Sequence, residues 1–237
     1  LKRSIREALL RKRNRIRLAE KKVKETAIRK RLFALSDFKE AKSILFYASF
    51  RSEVDTMRCM QQALKLRKKI ALPLVDGKRK RLKLYEIKGL PELVSGYMRI
   101  LEPGITKERE MGLKDIDVII IPGAGFDTRG NRLGYGFGYY DKLLSKSKDV
   151  KGRSSLRSKK HLTIIALAFE EQIIPRVPDE IHDVKVDKII TDKRVINCSP
   201  PSFPQKRESR KTKKRNWIPC QARNDIQTNK NTGGIFR

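Results

Sequence analysis

Val118-Ile119-Ile120-Ile121 runs straight into Pro122-Gly123. Four β-branched residues with no polar position among them read as a strand buried on both faces, the pattern of the middle of a parallel sheet. The Pro-Gly pair stops the strand abruptly. Outward from it, Ile44–Ala48, Ile70–Val75, Leu82–Ile87, Ile164–Phe169 and Val186–Thr191 are further short apolar runs. Helical patterns separate several of them. Residues 1–35 place Ile5, Leu9, Ile16, Ala19, Val23 and Ala27 near a 3.6 period with no Gly or Pro between them. Residues 55–69 repeat the pattern behind a candidate N-cap, Asp55, and Ser36-Asp37 is placed to cap a short helix. A further helix is expected to start near Tyr139. Residues 88–104, broken by Gly and Pro, and the basic stretch 145–160 read as irregular. Strand and helix alternate, so the expected fold is α/β. It has three layers, with a mostly parallel central sheet flanked by helices, in a single domain over residues 1–197. No internal repeat is present.

The chain has 237 residues and a formal net charge of +30. That charge is uneven. Residues 1–31 carry 14 basic and 3 acidic side chains, residues 142–160 carry 8 and 1, and residues 198–237 carry 10 and 2. The remainder is almost neutral. Such segments attract polyanions without specificity, and they lack the interleaved aromatics of a single-strand groove. Non-specific nucleic-acid contact is the most the charge implies. No run of about 18 apolar residues exists, so no membrane helix is expected. The first residues lack the apolar stretch of a secretory leader. Cys59, Cys198 and Cys220 lie far apart with no CxxC, which argues against a disulfide framework or a zinc module and for a cytoplasmic protein. After Asn197, Pro200, Pro201, Pro204, a basic run and Gly233-Gly234 replace any periodicity, so 198–237 is expected to be a disordered extension.

Residues 122–141, P-G-A-G-F-D-T-R-G-N-R-L-G-Y-G-F-G-Y-Y-D, carry the chemistry. Gly134, Gly136 and Gly138 alternate just before the expected helix. Glycines let backbone N–H groups approach an anion, and a helix N-terminus adds free N–H groups and a favourable dipole. Arg132 supplies a fixed positive charge suited to phosphate oxygens. Asp141 is a hard oxygen ligand where a nucleotide-bound Mg²⁺ would sit. The spacing is neither a P-loop nor a dinucleotide fingerprint, and G-x-G-x-G alone favours a structural turn. Other features have bland readings of their own. Lys2 and Arg6, at i and i+4, are by themselves a solvated basic face. Glu53 can complement a helix dipole. His182 beside Asp183 has no nucleophilic serine to serve, and Cys59 reads as a packing residue.

The stretch R-L-G-Y-G-F-G-Y-Y-D after P-G-A-G-F-D-T-R-G-N resembles the 5-formyltetrahydrofolate cyclo-ligase family, also called methenyltetrahydrofolate synthetase. Lys2-Arg3-Ser4-Ile5-Arg6 is similar to the family's K-x-x-[LI]-R. Tyr47-Ala48-Ser49 with Glu53-Val54-Asp55-Thr56 looks like its Y-x-S-x-x-x-E-V-D-T, and Glu102-Pro103 matches an E-P element. Ile165–Phe169, then Gln172, Pro178 and Asp183, match its closing segment, so the resemblance covers residues 2–196. It implies ATP- and Mg²⁺-dependent conversion of 5-formyltetrahydrofolate to 5,10-methenyltetrahydrofolate by a monomer, with ADP and phosphate released. It also implies ATP contacts from Lys2, Arg6, Arg132, Leu133, Gly134, Tyr135, Gly136, Phe137, Gly138, Tyr139 and Tyr140. Folate contacts would come from Ala48, Glu53 and Tyr135 to Tyr139, and Mg²⁺ ligation from Asp141 and Asp183. Arg132 and Tyr139 are the implied catalytic residues. Phe137 departs from the small or polar residue expected there. The alternatives are a non-ATP α/β enzyme of similar architecture and a basic RNA-associated protein.

Overall fold

The computed structural model describes residues 1–104, 107–152, 162–178 and 184–198. Asp183, both histidines, Cys220 and the extension from 199 onward lie outside them. Contacts gather Leu1–Pro201 into one unit, and Ser202–Arg237, assigned to another, is outside the described residues.

The chain opens with α1 (Lys2–Asn14), α2 (Leu18–Ala34) and α3 (Ser36–Glu40), followed by β1 (Ser43–Leu45) and α4 (Met57–Lys65). Next come β2 (Lys69–Asp76), β3 (Arg81–Ile87), β4 (Leu93–Ser95), β5 (Leu101–Pro103), β6 (Glu110–Met111) and β7 (Val118–Ile121). The last described part holds β8 (Gly125–Phe126), β9 (Arg132–Leu133), α5 (Tyr139–Gly152), β10 (Thr163–Leu167), β11 (Lys188–Ile190) and β12 (Val195–Asn197).

Eight strands form the main sheet in the order β12-β11-β10-β7-β1-β2-β3-β6. The central five pair in parallel, and β12, β3 and β6 are antiparallel additions at the edges. The run at 118–121 forms its strand with the expected ends and is buried throughout. Successive side chains of a strand point to opposite faces. Val118 and Ile120 therefore enter one core with Ile28 and Leu32 of α2, Phe38 of α3 and Met60 of α4. Ile119 and Ile121 enter a second core with Leu143 and Leu144 of α5. Two apolar layers against one sheet make the three-layer architecture. From β1 the chain moves to β2 on one side, and β7 is added later on the other. The crevice beyond the carboxyl ends of β1 and β7 is thus a topological switch point, where open α/β sheets bind ligands.

Several local expectations need correction. The helix expected over 1–35 breaks at Arg15–Arg17, because its halves pack in different places. Leu9 of α1 joins a small cluster with Leu133 and Val177, whereas Ile28 and Leu32 of α2 face the first core. Ser36 is the first helical residue of α3 and makes no side-chain cap. The N-cap of α4 is Thr56. Its hydroxyl donates to the Tyr47 carbonyl at 2.6 Å, while Asp55 accepts from the Met57 N–H at 2.8 Å. The segment 88–104 contains a small β4–β5 flap, and Glu102 lies so near Gly96 that a Cβ there would sit 2.2 Å from its carboxylate. α5 continues beyond 145 to Gly152, since lysine-rich sequence is good helix former.

Candidate active site

The site begins where β7 ends. A Cβ at Gly123 would lie 2.5 Å from the Phe126 ring, so glycine lets the chain turn tightly there. β8 and β9 then form a hairpin closed by residues 127–131, with Gly130 at φ 85°. Fully buried Asp127 organises that turn. Its carboxylate accepts from the backbone N–H groups of Arg129 (3.0 Å), Asn131 (3.1 Å) and Val177 (3.0 Å). It also accepts from the side chains of Arg129 and Asn131, each at 2.9 Å.

The hairpin delivers Arg132 to the crevice. Its side chain is 4% exposed and pairs with Asp141, which is 46% exposed in the first turn of α5. One Nη also donates to the Pro122 carbonyl at 3.4 Å, and the guanidinium lies 6.0 Å from the Tyr140 ring centre. The buried Nε has no hydrogen-bond partner among the described residues. A rigid, buried fork with a spare donor suits oxyanion binding.

The glycine loop follows. The Gly134 carbonyl accepts from Arg6 Nε at 2.7 Å, which ties α1 to the loop. Gly136 and Gly138 have φ of 99° and 69°, in the left-handed region that favours glycine. A Cβ at Gly136 would meet Arg6 at an ordinary 3.7 Å, so backbone strain decides the effect of a side chain there. Gly136→Ala should therefore lower unfolding stability by about 1–2 kcal/mol, read from urea titration. An unchanged midpoint would show that the loop relaxes freely. Exposed Phe137 stacks on Tyr139 with ring centres 6.3 Å apart at 24°, and Tyr97 of the flap meets Tyr139 edge-on at 6.3 Å.

Ala48 and Glu53, from the segment after β1, form the other wall. Glu53 accepts from the Phe50 N–H at 2.9 Å. Burial pushes its carboxyl above the ordinary glutamate value, held back by Tyr135, the Phe50 N–H and the charges of Arg13 and Lys21. Burial also pushes the Tyr135 and Tyr140 hydroxyls up.

These groups surround a cleft of about 350 Å³. Arg6, Ala48, Glu53, Arg132, Gly134, Tyr135, Phe137, Gly138, Tyr139, Tyr140 and Asp141, each a candidate from the sequence, line it. Gly136 shapes the loop without lining the cleft. Lys2, one turn before Arg6, is half-buried and is not a lining residue either. The Leu133 side chain is buried with Leu9 and Val177, and its carbonyl accepts from the Ala124 N–H at 2.8 Å. Asp183 is outside the described residues. Arg13, Ser52, Tyr97 and Met98 also line the cleft and were missed. For Arg13 a signal exists, because it lies seven residues after Arg6 and so on the same helical face. Among the described residues, no group of three or more His, Cys, Asp or Glu side chains could hold a metal. A half-exposed Asp141 suits Mg²⁺ carried on phosphates, since such an ion takes one or two carboxylates beside phosphate and water oxygens.

The model of the 5-formyltetrahydrofolate cyclo-ligase family matches residues 1–192. Over 192 residues the chain is 30% identical to the mitochondrial 5-formyltetrahydrofolate cyclo-ligase of Arabidopsis thaliana, an alignment covering 74% of this chain and 68% of that protein. It is also 30% identical over 192 residues to the 5-formyltetrahydrofolate cyclo-ligase of Mus musculus, covering 77% and 90% respectively. The NMR structure of Aquifex aeolicus 5,10-methenyltetrahydrofolate synthetase matches with a TM-score of 0.72 at 29% identity, covering 89% of this chain and 100% of that one.

Proposed function

The chain belongs to the 5-formyltetrahydrofolate cyclo-ligase family, and on that premise we propose that it converts 5-formyltetrahydrofolate to 5,10-methenyltetrahydrofolate at the expense of ATP. The observation that carries the reading is one cleft shared by two kinds of group. Arg6, Arg132 and the glycine loop offer positive charge and backbone donors for phosphates, and Glu53 offers a buried acceptor for a donor-rich ring.

The chemistry explains why both are needed. A formamide oxygen is a poor leaving group. Transfer of the γ-phosphoryl group to it releases ADP and leaves an iminium phosphate at N5. The N10 lone pair then attacks the formyl carbon, N10 gives up its proton, and the C–O bond breaks as phosphate departs with that proton. No covalent nucleophile from the protein is required, only alignment and charge stabilisation. Arg132 steadies the charge gathering on the transferred group. Tyr139, stacked with Phe137, forms a flat wall that restrains the folate while N10 closes the ring. Asp141, with Asp183 as its expected partner, would hold the nucleotide's Mg²⁺, which supplies charge neutralisation between phosphates.

The test is the absorbance of methenyl-folate formed from 5-formyltetrahydrofolate. Product should appear only when ATP and Mg²⁺ are both present, with one ADP released per product. Equal rates without ATP, or no product under any condition, would overturn the reading.

A further inference from the structure

We infer that Glu102 is a positioning residue: it latches the β4–β5 flap onto β2, and so holds Tyr97 and Met98 against the wall that restrains the folate. The inference rests on the reading of Tyr139 and Phe137 given above. Little apolar burial holds this flap. Val94, Tyr97, Met98 and Leu101 are all exposed, and only Leu93 and Ile100 pack, in part, against the first core. The tip carries Met98 and Arg99 at φ 56° and 63°. Residues with a Cβ keep such a conformation only where surrounding contacts hold it. Yet Tyr97 and Met98 line the cleft, and the Tyr97 ring meets Tyr139 edge-on at 6.3 Å. How the flap is attached therefore decides where one wall of the cleft stands.

Beside these exposed residues, Glu102 of β5 is only 8% exposed. Burying a carboxylate is costly unless it finds donors. One of its oxygens accepts from the Val75 N–H of β2 at 3.2 Å. β1 pairs with β2 only as far as Ala71, so beyond that point β2 has no strand beside it on that side. A backbone donor on such an edge needs an acceptor from elsewhere. Glu102 supplies one, and the bond joins the flap to the main sheet. By contrast, the Gly96 N–H to Ile100 carbonyl bond (2.8 Å) and the Gly104 N–H to Glu92 carbonyl bond (2.9 Å) both close within the segment 88–104. Gly96 completes the fit. The Glu102 Cγ and carboxylate lie where a Cβ at Gly96 would be. The φ of Gly96 is −110°, so what the glycine provides is space for the carboxylate rather than an unusual backbone. The latch needs an acceptor at the end of a side chain of this length, not a charge.

The test measures 5-formyltetrahydrofolate binding by calorimetry without ATP, the KM for ATP by turnover, and amide hydrogen exchange over residues 93–103 by mass spectrometry. Glu102→Ala should weaken folate binding roughly tenfold with the ATP KM within about threefold of the parent value, in line with loss of one buried hydrogen bond on the folate side. Exchange over the flap should speed up, because its opening becomes easier. Glu102→Gln keeps an acceptor and should recover most of the binding and the protection. Gly96→Ala pushes the carboxylate off Val75 while leaving it in the chain. It should reproduce Glu102→Ala, and it serves if that variant does not fold. Both changes together should cost little beyond either alone, because they remove one coupled contact. Unchanged flap exchange in Glu102→Ala and Gly96→Ala would show that the flap stands without the latch and overturn the inference. Folate binding as weak in Glu102→Gln as in Glu102→Ala would assign the carboxylate to direct ligand contact and overturn it too. Equal losses for folate and ATP would make Glu102 a general structural residue, with the same result. If Tyr139→Ala binds folate normally, the reading of that wall falls and the inference with it. If Tyr139→Ala weakens folate binding while Glu102→Ala and Gly96→Ala do not, the inference alone falls.

Discussion

Arg132→Met should form methenyl product some two to three orders of magnitude more slowly than the parent chain at saturating ATP, the usual loss when one preorganised donor is removed from a transition state. Methionine suits the test because the side chain is 4% exposed and an apolar replacement of similar length can fill its place. What disappears is the charge, the fork and the partner of Asp141. Folate binding measured without ATP should survive, since Glu53 is held by a different segment. Arg132→Lys should restore only part of the rate, because a point charge lacks the planar pair of donors. A normal kcat in Arg132→Met would remove Arg132 from the chemistry. A parallel collapse of folate binding would mean that it shapes the whole cleft.

The second large effect is expected on stability. Asp127→Ala deletes a buried carboxylate that takes five hydrogen bonds and closes the hairpin carrying Arg132. Removing one member of a buried charged network costs about 3–5 kcal/mol, and in a chain of this size the melting temperature should fall by roughly 10 °C. Turnover should be lost as well, although Asp127 is not a cleft residue. The sign with pH follows from the same bonds. Burial pushes the carboxyl up, but the Val177 N–H, the Asn131 and Arg129 side chains and the Asn131 N–H more than offset it, leaving it below the ordinary value of 3.8. Its contribution is therefore complete above that value and is lost as pH falls through the lower, folded value. The gap between parent and Asp127→Ala melting temperatures should shrink over that acidic window. A constant gap would point to packing rather than charge.

The sheet was legible because its information is local. Val118–Ile121 has one apolar pattern, and alternation of such runs with helical stretches leaves little choice of architecture. What escaped depends on partners distant in sequence. Nothing at Arg15–Arg17 marks a break; it exists because Leu9 and Ile28 bury against different surfaces. The glycine-loop motif brought Arg132 and Asp141 to notice together, and they do meet. Read as a unit, the same motif drew in Leu133, although neighbours along a strand face opposite ways and its side chain belongs to the core. Arg13 is one of 14 basic residues in the first 31, and composition cannot single out the buried one. Its partner Tyr135 lies 122 positions away.

That separation bears on how the protein is made. α1 leaves the ribosome well before the segments it packs against, so Leu9 has nowhere to go until Gly125, Leu133 and Val177 have been synthesised. Arg6 and Arg13 likewise wait for Gly134 and Tyr135. Closing so long a loop is entropically slow, and contacts of high sequence separation form late. The strands between them can pair early, whereas the candidate cleft comes into being only when α1 folds back onto a segment made long after it. A ribosome stalled before Val177 would hold a chain with much of its sheet and no enzyme.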